Sequence, residues 1–179
     1  MSERKLWMTA AVGDLTVAII SFAVFGVNTV GAGSATRNTA RFAMCFLLVG
    51  FARPGLRRWF PALPPAWWLI RAYMAAQFVH FAFVAALHTA FVSGTVHLRI
   101  SQYPVALLGF SLVALTGYTA KAEGRGHTIL LYINWLILAV NYSKHPVTMM
   151  RLAAIPVFLA LLLRWLPSGR PEAMEVAAG

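Results

Sequence analysis

The chain has 179 residues, of which 60% are hydrophobic and 11% charged, with a formal net charge of +10. A soluble domain is about 45–50% apolar and about 25% charged, and a domain this small leaves too much surface wet to hide such an excess in its own core. A soluble globular domain, a disordered chain and a disulfide scaffold are therefore excluded, and the length leaves room for about six membrane helices with short loops. The expected fold is an all-α membrane protein, a six-transmembrane-helix bundle over residues 1–166 with a polar cytoplasmic tail over 167–179. No stretch is left over for a soluble flavin, nucleotide or catalytic domain. The basic residues lie singly between apolar runs, as interface anchors do, so membrane lipid rather than nucleic acid is the expected partner.

Six apolar runs predict six helices. The first is Leu6–Val30, too long for the apolar region of a cleaved signal peptide and read as a retained helix. Gly13, Gly26, Gly31 and Gly33 are placed on it as close-packing positions. The second, Thr39–Ala52, is short, with Arg41 and Arg53 able to snorkel at its ends. A basic, proline-rich break follows, through Arg57, Arg58 and Pro61 to Pro65. The third run is Trp67–Val92, its Trp67-Trp68 pair reading as an interface anchor, and His97 follows in an exposed loop. The fourth is Pro104–Ala120, with proline at a helix start. The fifth is His127–Tyr142. The sixth is Val147–Leu166, with a kink expected at Pro156. Cys45, the one cysteine, lies in an apolar run and reads as a small buried hydrophobe.

The distribution of Lys and Arg sets orientation. With the N-terminus in the cytoplasm, that side holds nine: Arg4, Lys5, Arg53, Arg57, Arg58, Lys121, Arg125, Arg164 and Arg170. The other side holds five: Arg37, Arg41, Arg99, Lys144 and Arg151. Both termini are thus expected on the cytoplasmic side of a membrane of the bacterial inner type.

Polar residues inside the hydrocarbon region are costly and mark function or helix packing. At about 100° per residue, Asp14, Ser21 and Asn28 share a face of helix one. Tyr73, Gln77, His80 and His88 share an arc of helix three, with Arg71 opposite. His127, Asn134, Asn141 and His145 share a face of helix five, provided that helix reaches His145. The pattern predicts a polar centre common to helices one, three and five. Asp14 reads as a proton relay, a partner for Arg71, or a carboxyl at the interface.

Histidines on two facing helices suit a haem plate between them, because neutral imidazole ligates haem iron. No tight His/Cys cluster of structural-zinc type is present. Matching depths favours His88 with His145 as axial ligands of haem iron near the outer side. His80 with His127 would need a tilted or shifted helix.

Residues 37–58, from Arg37-Asn38-Thr39-Ala40-Arg41 to Ala52-Arg53-Pro54-Gly55-Leu56-Arg57-Arg58, resemble the second helix and basic loop of ferric reductase-like transmembrane proteins. Leu69-Ile70-Arg71-Ala72-Tyr73 through His80 to His88 is similar to that family's third helix. Leu107-Leu108-Gly109 through Thr116-Gly117 is similar to its fourth. The resemblance covers roughly residues 37–145. It implies six helices, b-type haem and electron transfer across the bilayer, with His80 or His88 as the helix-three ligand and His127 as the first helix-five histidine. At the family's second helix-five position this chain has Asn141-Tyr142, and His145 stands one turn later.

Two functions are open on the sequence. One is a b-type haem (haem b) membrane protein that takes electrons from quinol or a cytoplasmic protein donor and passes them to an external acceptor. Arg53, Arg57, Arg58 and Arg71 would attract haem propionates, quinone or an acidic donor. The other is a non-haem helical membrane protein, either a structural subunit of a complex or a small channel or transporter using Asp14 and the Asn/His stripe.

Overall fold

A computed structural model describes residues 2–91, 102–122, 124–143 and 151–166, with the backbone alone for 87–91 and 102–105. Every regular element among them is helical: α1 Glu3–Phe25, α2 Thr29–Leu56, α3 Ala66–Phe91, α4 Gln102–Thr119, α5 Arg125–Ser143 and α6 Ala154–Trp165, with a 3-10 turn at Ala120–Ala122 after α4. Three helices are long and apolar enough to cross a membrane: Glu3–Phe25, Thr29–Leu56 and, within α3, Ala66–Ala86. The apolar segments Ala106–Ala122 and Ala154–Trp165 are shorter.

The boundary between the first two helices differs from the sequence expectation. The apolar run from Leu6 to Val30 is not one helix. Gly26 breaks it at φ +82° and ψ 162°, a conformation open essentially to glycine alone. Asn28 then serves both helices. Its Oδ1 accepts from the backbone N–H groups of Val30 (2.9 Å) and Gly31 (3.0 Å), and its Nδ2 donates to the Phe25 carbonyl (3.1 Å). Asparagine is a strong N-cap because its side chain satisfies orphan N–H groups of the first turn. So Asn28, Gly31 and Gly33 belong to α2 and not to the face carrying Asp14. The second helix is no short span between Arg41 and Arg53 but 28 residues long, with Pro54 in its last turn. At the other end of the chain, Pro156 is the third residue of α6. There its missing N–H falls among the unpaired donors of the first turn, so it starts a helix where a kink was expected.

Small residues bring the helices together. A Cβ on Gly13 would lie 2.6 Å from the Phe42 ring, and one on Gly50 would lie 2.9 Å from Ile70 Cδ1. One on Gly55 would fall on the Leu163 carbonyl of α6. In this way α1 packs on α2 and α3, α2 on α3 and α6, α3 on α4, α4 on α5, and α5 on α6. The centre is Leu47, Phe51, Ile70 and Val157, all fully buried. Phe51 lies parallel to Trp135 and edge-on to Tyr132, and the Trp135 indole donates to the Val157 carbonyl (2.7 Å).

The bundle is apolar outside and polar within. On α1, Val12, Ile19 and Val24 are 60–67% exposed while Asp14 and Ser21 are buried. Thr39, Thr116, His127 and Asn134 are buried on other helices. Water would favour the reverse arrangement and a hydrocarbon solvent favours this one. Cys45, expected in the core, is exposed on the apolar outside.

Contacts at one end of the bundle gather its basic residues. Arg71 of α3 pairs with Glu3 of α1. Lys121 lies over the Trp67 ring, and Arg164 of α6 donates to the Phe51 carbonyl (2.8 Å). This end carries the starts of α1, α3 and α5 and the finishes of α2, α4 and α6, and with them Arg4, Lys5, Arg53, Arg57, Arg58, Arg71, Lys121, Arg125 and Arg164. The sequence expectation that Asp14 pairs with Arg71 fails, because Glu3 takes that place.

Candidate functional site

Among the described residues, buried polar side chains form several separate arrangements rather than one centre shared by α1, α3 and α5, and four of them bear on the candidate site. The first joins α3, α4 and α5. The Tyr73 hydroxyl donates to Asn134 Oδ1 (3.0 Å), and Asn134 Nδ2 donates to Thr116 Oγ1 (2.9 Å) and to the Leu130 carbonyl (2.9 Å). Asn134 is thereby fully engaged in packing, as amides between membrane helices commonly are.

The second joins α2 and α3 through His80. Thr39 Oγ1 is 2.8 Å from His80 Nδ1 and donates to the Ala35 carbonyl (2.9 Å). The Nδ1 contact holds the ring in one orientation. Metal-binding imidazoles are oriented in the same way through their second nitrogen, usually by a carboxylate, a backbone carbonyl or water. His127, buried at the start of α5, makes a similar contact through Nδ1 to Thr119 Oγ1 (3.3 Å).

The third runs from α1 through α2 to α5. Asn38 Nδ2 donates to Ser21 Oγ (3.1 Å), Arg41 Nη1 donates to Asn38 Oδ1 (3.4 Å), and Arg41 also hydrogen-bonds Tyr142. Arg41 was expected to snorkel at a helix end. It sits instead thirteen positions into α2, held by neutral partners. The sequence reading missed it because the start of α2 was placed ten residues too late.

The fourth is Asp14 alone. The side chain is 0% exposed, and neither carboxyl oxygen has a hydrogen-bond partner among the described residues.

Rungs between helices fix relative heights. Tyr73 stands beside Asn134. Gly117 of α4 lies against Met74, while Thr119 of α4 lies against His127. At about 1.5 Å per residue, these rungs put His127 near the start of α3 and His80 near the last turn of α5, around Leu138–Asn141. The two histidines therefore differ in height by about 12–20 Å, an offset that a shared His80–His127 ligand pair would have to close. On the described part of α5 the residue at the height of His80 is Asn141, which is exposed; it leaves the buried face expected for it. His88 lies eight residues beyond His80, about 12 Å further along α3; its side chain, and His145 and His97 entirely, lie outside the described residues. Among the described residues no group of three or more His, Cys, Asp or Glu side chains converges as a metal site.

A cleft of about 820 Å³ opens between α1, α3 and α4. Phe78, Phe110 and Leu115 line its apolar wall, and the Glu3–Arg71 pair and Tyr118 stand at its edge.

No protein-family model, no curated protein and no solved structure matches this chain.

Proposed function

We propose that this chain is a six-span membrane electron carrier of the ferric reductase-like kind, with b-type haem held by histidines of α3 and of the sequence that follows α5. The observation behind this reading is the Tyr73–Asn134 hydrogen bond. It ties α3 to α5 at one height, with α4 packed against both, and both helices run from the basic end toward the end where His88 and His145 follow in sequence. His127 is remote from that end. His145 with an α3 histidine, His88 first, is the ligand set proposed. The group itself would supply a one-electron couple within the bilayer. The chain's own part is to fix imidazole tautomer and height, as Thr39 does for His80, and to exclude water with an apolar bundle. Quinol or a cytoplasmic protein is the proposed donor, with the acceptor on the far side.

The test is an optical spectrum of the full-length protein purified after expression with ample haem. A Soret band that shifts on dithionite reduction is expected, and His88→Ala and His145→Ala should each abolish it. Both variants remaining fully red would overturn the ligand assignment. A colourless wild-type protein would overturn the haem reading and leave a non-haem subunit, channel or transporter.

A further inference from the structure

We propose that Asp14 is a proton-binding site within the membrane, holding its proton in the packed α1–α2–α3 unit and exchanging it when that packing loosens. The inference is independent of haem. An ionised carboxylate taken out of water with neither cation nor donor costs several kcal/mol. Among the described residues Asp14 has neither, for both oxygens are buried without a partner.

On the two helices packed against α1, the charged and titratable groups with described side chains have other partners or face outward. On α2, Arg41 is held by Asn38 and Tyr142, Arg53 donates to the Pro64 carbonyl, Cys45 faces outward, and Arg37 reaches Ser34. On α3, Arg71 is held by Glu3, Tyr73 by Asn134 and His80 by Thr39. The side chain of His88 is outside the described residues. A neutral acid is the form that this environment accepts. Along the buried stripe of α1, Leu6 and Ala10 lie toward the basic end and Ser21 toward the other. Among the buried residues of α1, Ser21, bonded to Asn38, is the polar group besides Asp14. The position of Asp14 suits proton transfer, since moving one charge across the field of an energised membrane is worth about 2.3 kcal/mol per 100 mV.

Infrared difference spectra between the full-length wild type and Asp14→Asn, both in lipid, test this. A protonated-acid C=O band should be present in the wild type, absent in the variant, and should shift after transfer into D₂O. Carboxylate bands in its place, or an acid band that never shifts in D₂O, would overturn the proposal. Should Asp14→Asn fail to fold, the wild type alone suffices with dicyclohexylcarbodiimide in membranes. The acid O–H adds across the N=C bond, the proton passes to the carbodiimide nitrogen, and the O-acylisourea rearranges to a stable N-acylurea with no leaving group. An adduct on the peptide containing Asp14, formed less readily as pH rises, is expected. An unmodified Asp14 would overturn the proposal.

Discussion

Tyr73 and Asn134 lie 61 residues apart in sequence and 3.0 Å apart in the fold, joined by a buried hydrogen bond between α3 and α5. That bond decides which residues of the two helices share a height. Tyr73→Phe leaves Asn134 Oδ1 without its donor. Interhelical side-chain bonds in membrane proteins average about 0.6 kcal/mol and reach about 1.7, so a loss of about 1 kcal/mol is expected in denaturant unfolding from mixed micelles. Asn134→Leu in the Tyr73→Phe background should cost less than it does alone, because the two residues share the interaction.

Gly55→Ala should be among the most damaging single-methyl additions. The new Cβ would fall on backbone of Leu163, which no side-chain rotation relieves. Overpacking of this kind costs about 1–3 kcal/mol, and the thermal midpoint should drop accordingly. Gly126→Ala, where a Cβ meets nothing within 4 Å, is the matched control and should unfold like the wild type.

Glu3→Gln should matter little to stability. The Glu3–Arg71 pair is about a third exposed on each side, and pairs so accessible contribute about 0–1 kcal/mol. The difference between wild type and variant should shrink as salt is raised. A loss that persists at high salt would show that the carboxylate acts through packing.

If haem is bound, His127→Ala should leave the Soret band in place. His127 stands about 12–20 Å in height from His80, at the basic end and away from the proposed ligands. Loss of the band in this variant, with the fold intact by circular dichroism, would place the cofactor at the basic end.

With nine Lys and Arg side chains gathered at the end that carries Glu3 and Arg164, that end is expected to face the cytoplasm. Ser2→Cys in a Cys45→Ser background should resist a membrane-impermeant maleimide in intact spheroplasts and react after lysis. Reaction before lysis would invert the orientation.

Composition made the helical class and the apolar exterior legible, and three of the six helices, α3, α4 and α5, lie within a few residues of where their apolar runs place them. The failures have physical causes. Apolar residues continue from α1 into α2 without a polar gap, so hydropathy joined them, and the break rests on a backbone angle at Gly26 and a cap at Asn28. Pro156 reads as a kink until the start of its helix is known. Polar stripes told which face of a helix is buried but not which neighbour it meets. Thus Asn134 found Tyr73 and Thr116, Asp14 found nothing, and Arg71 found Glu3. Heights across the bundle needed rungs such as Gly117 on Met74, which no single-helix pattern contains.

The turn at Gly26–Asn28 has a bearing on biogenesis. Asn28 ties the last turn of α1 to the first turn of α2, which leaves no length for a hydrated tether between them. Two apolar rods fastened so closely are expected to enter the bilayer together as a hairpin, the greasier α1 carrying Arg37 and Arg41 in with α2.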